Sequence, residues 1–294
     1  MHVVTDRGLQ QSYRTCRRLQ RRHDPTFYCA TCCLPRGVRP AVHALYGFVR
    51  GADEIVDGPQ RPPAGAPRRE ALDAWQAELE RGLAVGRSEH PVIAALVDAG
   101  PRHGLPLHLL PRYMDSMRVD CDEPVRIASR AQLDDYMEGS AATVGRVIAP
   151  LLGSPEPEAV ARLGVAFQLT NFIRDVPVDW DLDRVYLPGL PEDDLRAGAA
   201  SESLRERIAQ EVARARGLFA ETAGLAFAPG MRNGVRMARA VYARVLDRVE
   251  GNGYDVLGAR ARLRPWEAAR AALDRPPSTR VRGTKPPRGG TPLA

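Results

Sequence analysis

Four aspartates in two distant stretches are spaced for binding divalent cations. Asp53 and Asp57 bound the stretch Asp53-Glu-Ile-Val-Asp57, and Asp175 and Asp179 close Gln168-Leu-Thr-Asn-Phe-Ile-Arg-Asp175-Val-Pro-Val-Asp179. Residues four apart on a helix stack on one face. At about 100° per residue, Gln168, Asn171, Asp175 and Asp179 fall in a narrow sector with Gly164 one turn above, and Tyr46, Arg50, Asp53 and Asp57 align in the same way. A polar stripe on an otherwise buried helix costs stability unless it lines a cavity, a metal site or water. The two ladders are therefore expected to face each other across a pocket and share divalent cations, with Asn171 adding an amide oxygen. Without cations, carboxylates so gathered repel and raise one another's pKa. Arg50, Arg174 and Arg260 can bond anionic oxygens in a forked geometry, although Arg174 projects away from the Asp175 face of an ideal helix.

The elements that must hold these residues read as helices. Val42, Leu45, Val49, Ala52 and Val56 form a core stripe about a quarter-turn from the first ladder. This helix should end at Gly58-Pro59. Its charges would face solvent only if it lay at the surface. The helix from about Glu158 is wrapped by Val160, Leu163, Phe167, Leu169, Phe172 and Ile173, so it should be central and buried. Pro177 removes the amide that would bond the Ile173 carbonyl and disfavours helical geometry at Val176, so a kink or an end is expected there. Ser129 and Gln132 form a capping-box pattern opening a helix over 131–152. On it Tyr136, Ser140, Thr143 and Val147 share a face near Gly139 and Gly145. Such small residues either leave room for a bulky apolar ligand or permit close helix packing. Asp115 and Asp120 lie on different faces, which suits solvent or a salt bridge better than a third acidic site.

Further helices are expected over 7–22 (basic and amphipathic), 68–86, 90–100, 107–120, 201–225 with a capping box at Ser203–Glu206, and from Gly230 to about Glu250. Aromatics are few, at 6%, and strand-type alternation is missing, so the chain reads as all-α. Five basic residues and no acidic one follow from Arg275 onward, so the formal +6 leaves about +1 on the rest of the 294-residue chain. The expected division is one helical domain over 1–274 and a disordered, basic, Pro/Gly-rich tail over 275–294. No basic face is visible in the sequence of the folded part, which argues against nucleic acid as a partner. No apolar run approaches the roughly 20 residues of a transmembrane helix, and the first residues lack a signal peptide's apolar core; a cytoplasmic location is expected. Cys29 and Cys32, one helical turn apart, are expected to be buried thiols rather than a metal or redox pair.

The two Asp-x-x-x-Asp stretches, the second opened by Gln-Leu-Thr-Asn-x-x-Arg and followed by Val185-Tyr-Leu-Pro188, resemble the squalene/phytoene synthase family from about Tyr13 to about Ala272. The resemblance implies an all-helical, single-domain isoprenoid-synthase bundle around a central apolar cavity. It also implies a prenyltransferase that joins two isoprenoid diphosphates. Asp53, Asp57, Asn171, Asp175 and Asp179 would then bind Mg²⁺, for which Mn²⁺ can substitute. His23, Thr26, Arg50, Gln168, Asn171, Arg174, Tyr242 and Arg260 would face the diphosphates. In the family Tyr136 sits beside the reacting carbons, where its ring and hydroxyl can steer a carbocation; Tyr46 belongs to the same catalytic set, and Arg184 and Tyr186 are kept. Asp24-Pro25 departs from the family pattern, since a carboxylate there does not favour an anion, and Pro177-Val178 and Trp180-Asp-Leu-Asp183 thin the positive fringe.

Within the family, His-x-x-Thr-Phe-Tyr, Val-His-Ala-Leu-Tyr-Gly-Phe and Gly-Ser-Ala-Ala-Thr-Val-Gly look most like bacterial phytoene synthases. Two geranylgeranyl diphosphates would then give phytoene through a cyclopropylcarbinyl diphosphate. The alternatives are farnesyl diphosphate with a squalene-type, dehydrosqualene-type or presqualene-type product, and a non-catalytic member acting in assembly. No glycine-rich dinucleotide fingerprint is present, and NADPH is not expected. The lipid product makes peripheral membrane contact an expectation; the sequence carries no signal for oligomeric state.

Overall fold

Apolar faces decide how the helices are laid out. The structure, a computed structural model, describes residues 6–258. α1 (Asp6–His23) buries Ser12, Cys16 and Gln20 and turns most of its arginines outward. It packs against α3 (Arg39–Asp57) and α5 (Pro91–His103), which also pack on each other. Between α1 and α12 (Arg232–Gly251) lies the short α2 (Pro25–Cys32). The Asp24 carboxylate starts α2 by accepting the Phe27 amide at 2.8 Å, and Pro25 follows in the first turn, where a missing amide costs nothing. α3 ends at Gly58, extended ahead of Pro59 as expected. α4 (Ala66–Val85) and α6 (Leu110–Val119), the latter entered through a 3₁₀ turn at Leu107–Leu109, complete this side.

α9 (Pro157–Asp181) is the central helix, packed on α8 (Thr143–Leu152), α11 (Glu202–Glu221) and α12. It buries Val160, Leu163, Leu169, Phe172, Ile173 and Val176. It also continues through Pro177 to Asp181, where a kink or an end was expected. An interior proline costs roughly 3 kcal/mol. Full burial of Ile173 and near-full burial of Phe172 and Val176, each worth roughly 1.5–3 kcal/mol, offsets that loss and keeps Asp179 in register with Asp175.

α7 (Arg130–Met137), a π-helical turn at Glu138–Ala142 and α8 follow one another without interruption, so the helix expected over 131–152 carries a local widening. Ser129 caps α7 by accepting the Gln132 amide at 3.2 Å. A Cβ on Gly145 would stand 2.7 Å from the Ala161 Cα, and one on Gly164 would stand 2.8 Å from the Ala141 carbonyl. The small residues on this face therefore serve close backbone approach between α8 and α9. β1 (Val125–Arg126) and β2 (Arg184–Val185) form a short parallel pair with Val125 opposite Arg184. This pairing ties the segment after α9 to the end of α6. α10 (Glu192–Ala197) precedes α11.

Two local expectations are corrected. The α11 cap is Ser201, whose hydroxyl accepts the Leu204 amide at 3.2 Å, and Ser203 lies inside the first turn. Cys29 and Cys32 are exposed, because α2 turns Ala30 and Thr31 inward; the buried thiols are Cys16 and Cys121. The tail expected over 275–294 lies outside the described residues.

Candidate active site

The first ladder keeps its expected order along α3. The Tyr46 ring stacks on Phe27 with centroids 6.5 Å apart, and burial raises its phenol's pKa. Arg50 pairs with Glu54, one turn on, and its Nε is buried without a hydrogen-bond partner among the described residues. Asp53 accepts a hydrogen bond from the Tyr113 hydroxyl at 3.1 Å. Burial, and then the neighbouring Asp57, push Asp53 up to about 7. Asp57 is ion-paired with Arg184, which is 2% exposed and also donates to the Val56 carbonyl at 2.8 Å.

The second ladder lies along α9. Asn171 donates to the Gln168 side-chain oxygen at 3.3 Å, while its own Oδ1 is buried with no hydrogen-bond partner among the described residues. Arg174, which an ideal helix would turn away, folds round to Asp175, with Nε 3.0 Å from Oδ1. Asp179 is pushed up to about 8 by burial first, then by Asp175 and Asp57. Asp57 on α3 and Asp179 on α9 thus lie within each other's field, as facing ladders require.

A cavity of about 330 Å³ opens beside the ladders, between α2, α9 and α12. It brings together His23, Thr26, Arg174 and Tyr242 from the expected diphosphate-facing set, with Asp24 among them. Asp24 is occupied as the α2 cap, which explains how a carboxylate is tolerated here. Tyr242 packs its ring 4.4 Å from that of Phe167. Arg260 lies outside the described residues.

Tyr136 is not among the residues that line this cavity. Its ring meets those of Phe172 and Tyr186 at 5.8 and 5.2 Å, and its hydroxyl donates to Asp120 Oδ2 at 2.6 Å. The Tyr186 hydroxyl donates to Asp120 Oδ1 at 2.7 Å, and Arg184 reaches the Asp120 carbonyl at 3.3 Å. Asp120 is therefore neither solvated nor in a surface salt bridge. It is 2% exposed, is pushed up to about 6 mainly by burial, and holds both phenols. It belongs to no i, i+4 ladder. The one sequence signal was a carboxylate at the C-terminal end of α6, where the helix dipole disfavours negative charge.

Three compartments result, joined by two arginines. Arg174 links the cavity to Asp175, and Arg184 links Asp57 to the tyrosine pair. Among the described residues no three carboxylate, imidazole or thiol groups close on one point by themselves. Small hard divalent cations do not need such a cage, because they take one or two carboxylates plus phosphate oxygens and waters. Oxygen donors on α3 and α9, carboxyls raised by burial and then by one another, and an orphaned amide oxygen on Asn171 fit a cation of that class.

Comparison with known proteins gives the family. Residues 20–267 match the family model described as squalene/phytoene synthase. The chain belongs to the squalene/phytoene synthase family. It is 36% identical over 272 residues to a phytoene synthase of Thermus thermophilus, covering 89% of this chain and 91% of that one. A squalene synthase from Alicyclobacillus acidocaldarius superposes with a TM-score of 0.73 at 29% identity, covering 85% of this chain and 97% of that one. A dehydrosqualene synthase complex, at 22% identity and a TM-score of 0.76, shares the fold over 91% of this chain and 96% of its own. As a family member the chain is a prenyltransferase acting on prenyl diphosphates, in a family that generally depends on divalent metal. Among the described residues no helix is long and apolar enough to cross a membrane.

Proposed function

We propose that this prenyltransferase condenses two geranylgeranyl diphosphates head to head to phytoene, with Mg²⁺ bound between the two ladders. The observation that carries this reading is the pair of acid ladders on α3 and α9, with Asp57 held by Arg184 just beyond α9 and the Asn171 side-chain oxygen buried without a partner among the described residues. Similarity to phytoene synthases at 33–36% identity supports the substrate. In this reading Asp53, Asp57, Asn171, Asp175 and Asp179 hold the cations. When bound, these supply Lewis-acid stabilisation of the departing diphosphate.

The chain's own groups do the rest. Arg50 and Arg174 donate to phosphate oxygens, with His23, Thr26, Gln168, Tyr242 and Arg260 completing the anion's surroundings. Tyr46 and Tyr136 present ring faces and hydroxyl oxygens to the allylic cation left behind. Phe172, Tyr186 and the apolar flank of α9 keep water from it. Released diphosphate takes up the proton, so no dedicated base is needed. The condensation and rearrangement to phytoene call for no NADPH.

The test is to incubate purified protein and Mg²⁺ with labelled geranylgeranyl diphosphate or farnesyl diphosphate and analyse the extracted hydrocarbon. Phytoene from the first, lost on chelation, is expected. A C30 hydrocarbon from the second alone would move the reading to farnesyl diphosphate, and no product from either would make the chain a non-catalytic member.

A further inference from the structure

The outer face of α1 carries charge that no carboxylate among the described residues pairs with. Arg7, Arg14, Arg18 and Arg21 follow one another at helical intervals that keep them within about 60° of one line. Arg17 and Arg22 flank them, and all six are exposed. Arg17 donates to the Tyr28 hydroxyl at 3.0 Å and Arg18 to the Thr15 hydroxyl at 3.2 Å, but among the described residues none of the six is ion-paired with a carboxylate. Elsewhere arginines are usually paired, as Arg118 is with Asp73 and Asp115, Arg146 with Glu138 and Glu158, and Arg216 with Asp247 and Glu250. Arg14, Arg18 and Arg22 stand four apart, so like charges repel along the stripe. The last turn's negative dipole end eases this for Arg21 and Arg22 alone.

We propose that this stripe is a docking surface for an anionic lipid bilayer. It spans about 22 Å of a convex helix, a shape that suits a flat, diffusely charged sheet. Nucleic acid fits it less well, since single strands are gripped in basic grooves with aromatic stacking platforms. The aromatic ring at this face, Tyr28, is already stacked on His43 and overlain by Arg17. Among the described residues the exposed large apolar side chains, Leu83, Val85, Val119 and Val178, lie on other elements, so the contact made by the α1 stripe itself is electrostatic. α1 ends at His23, which lines the cavity between α2, α9 and α12. Docking by α1 therefore brings the cavity's edge to the surface where an amphiphilic diphosphate with a long hydrocarbon tail resides. That orienting consequence rests on the proposed substrate class; the docking itself does not.

The test is sedimentation of the full-length chain with vesicles of phosphatidylcholine alone or with about one-third phosphatidylglycerol, at low and high salt. Each surface arginine adds attraction to such a membrane, so binding to the anionic vesicles should be strong at low salt and lost at high salt. The variant Arg14→Glu/Arg18→Glu/Arg21→Glu should bind at least about tenfold more weakly, and Arg14→Gln/Arg18→Gln/Arg21→Gln should fall between. Both variants should keep the wild-type circular dichroism spectrum and activity on detergent-dispersed substrate. Neutralising Arg280, Arg282, Lys285 and Arg288 to Gln should leave most of the binding. Equal binding to neutral vesicles, no binding to anionic ones, undiminished binding by the Glu variant, loss confined to the 280–288 variant, or preference for a single-stranded RNA over vesicles of equal charge would each overturn the proposal.

Discussion

α3 carries a buried polar cluster at each end, and the two respond to burial in opposite ways. Near its start His43 donates from Nδ1 to the Gln20 side-chain oxygen, Gln20 donates to Thr31 at 3.1 Å, and Thr31 donates to the Phe27 carbonyl at 2.9 Å. Each donor along this chain has its acceptor, and burial holds His43 neutral, pushed down to about 4. Near its end Asp57 meets the field of Asp179 on α9, burial first and neighbouring acids second raise Asp53 and Asp179 well above the usual carboxylate range, and among the described residues the Asn171 oxygen and the Arg50 Nε have no partner. A buried network satisfied within the protein serves structure. One completed only by an outside ion serves binding.

The sharpest way to break this comparison is to mutate both ends. Asp53→Asn and Asp175→Asn should each lower turnover by about a thousandfold, since several kcal/mol of leaving-group stabilisation disappear, while circular dichroism stays that of the wild type. Near-normal activity in either would remove that residue from the site. Tyr136→Phe and Asp120→Asn should each cost about tenfold in overall rate. In both, the cyclopropylcarbinyl intermediate should accumulate relative to hydrocarbon, because a hydroxyl that is missing or wrongly held affects the second ionisation more than the first. Asp120→Asn keeps the shape but replaces one acceptor oxygen with a donor, so it separates orientation of the phenols from packing.

At the other end, Gln20→Leu should leave kcat of the folded enzyme unchanged and remove about 1–3 kcal/mol of stability, read from denaturant unfolding, because His43 and Thr31 lose their partner. A loss of activity without a loss of stability would reverse the roles assigned to the two clusters.

The pH dependence of the cation-free protein separates the clusters more finely. Asp53, raised to about 7, and Asp179, raised to about 8, bind protons in the folded state that the unfolded chain releases near 3.9. Their contribution is complete below about pH 4 and is lost as pH rises through 7–8. His43, lowered to about 4, works the other way. The unfolded chain takes up its proton near 6.5, so stability is lost as pH falls from about 6.5 to 4. Thermal unfolding should therefore show midpoints falling by about a few degrees from pH 6.5 to 8 in wild type, and falling less in Asp53→Asn.

How much of this was legible in the sequence depends on how local each signal was. The ladders were readable because four-residue spacing is a property of one helix, and their helices followed from the apolar stripes beside them. Pro177 misled because its backbone cost is local while the burial of Phe172, Ile173 and Val176 that overrides it is tertiary. The Ser203 motif matched a capping pattern, yet the cap fell at Ser201, where the chain is extended. Asp120 and Arg184 escaped notice as partners because a two-residue strand pairing and the end of α6 bring them together, which no spacing encodes. The helix over 7–22 was readable as basic and amphipathic, but its lack of ion-pair partners was not. Net charge placed the surplus in the last residues, whereas among the described residues the six arginines of α1 form a stripe without a carboxylate partner.

The central claim is that acids on α3 and α9 grip the same cations, and electron paramagnetic resonance of Mn²⁺ binding in the presence of pyrophosphate tests it most directly. Asp57→Asn on α3 and Asp179→Asn on α9 should each weaken Mn²⁺ binding at least tenfold, and the double variant should lose little more than either alone. Strictly additive losses, or full affinity retained when either helix is altered, would contradict it.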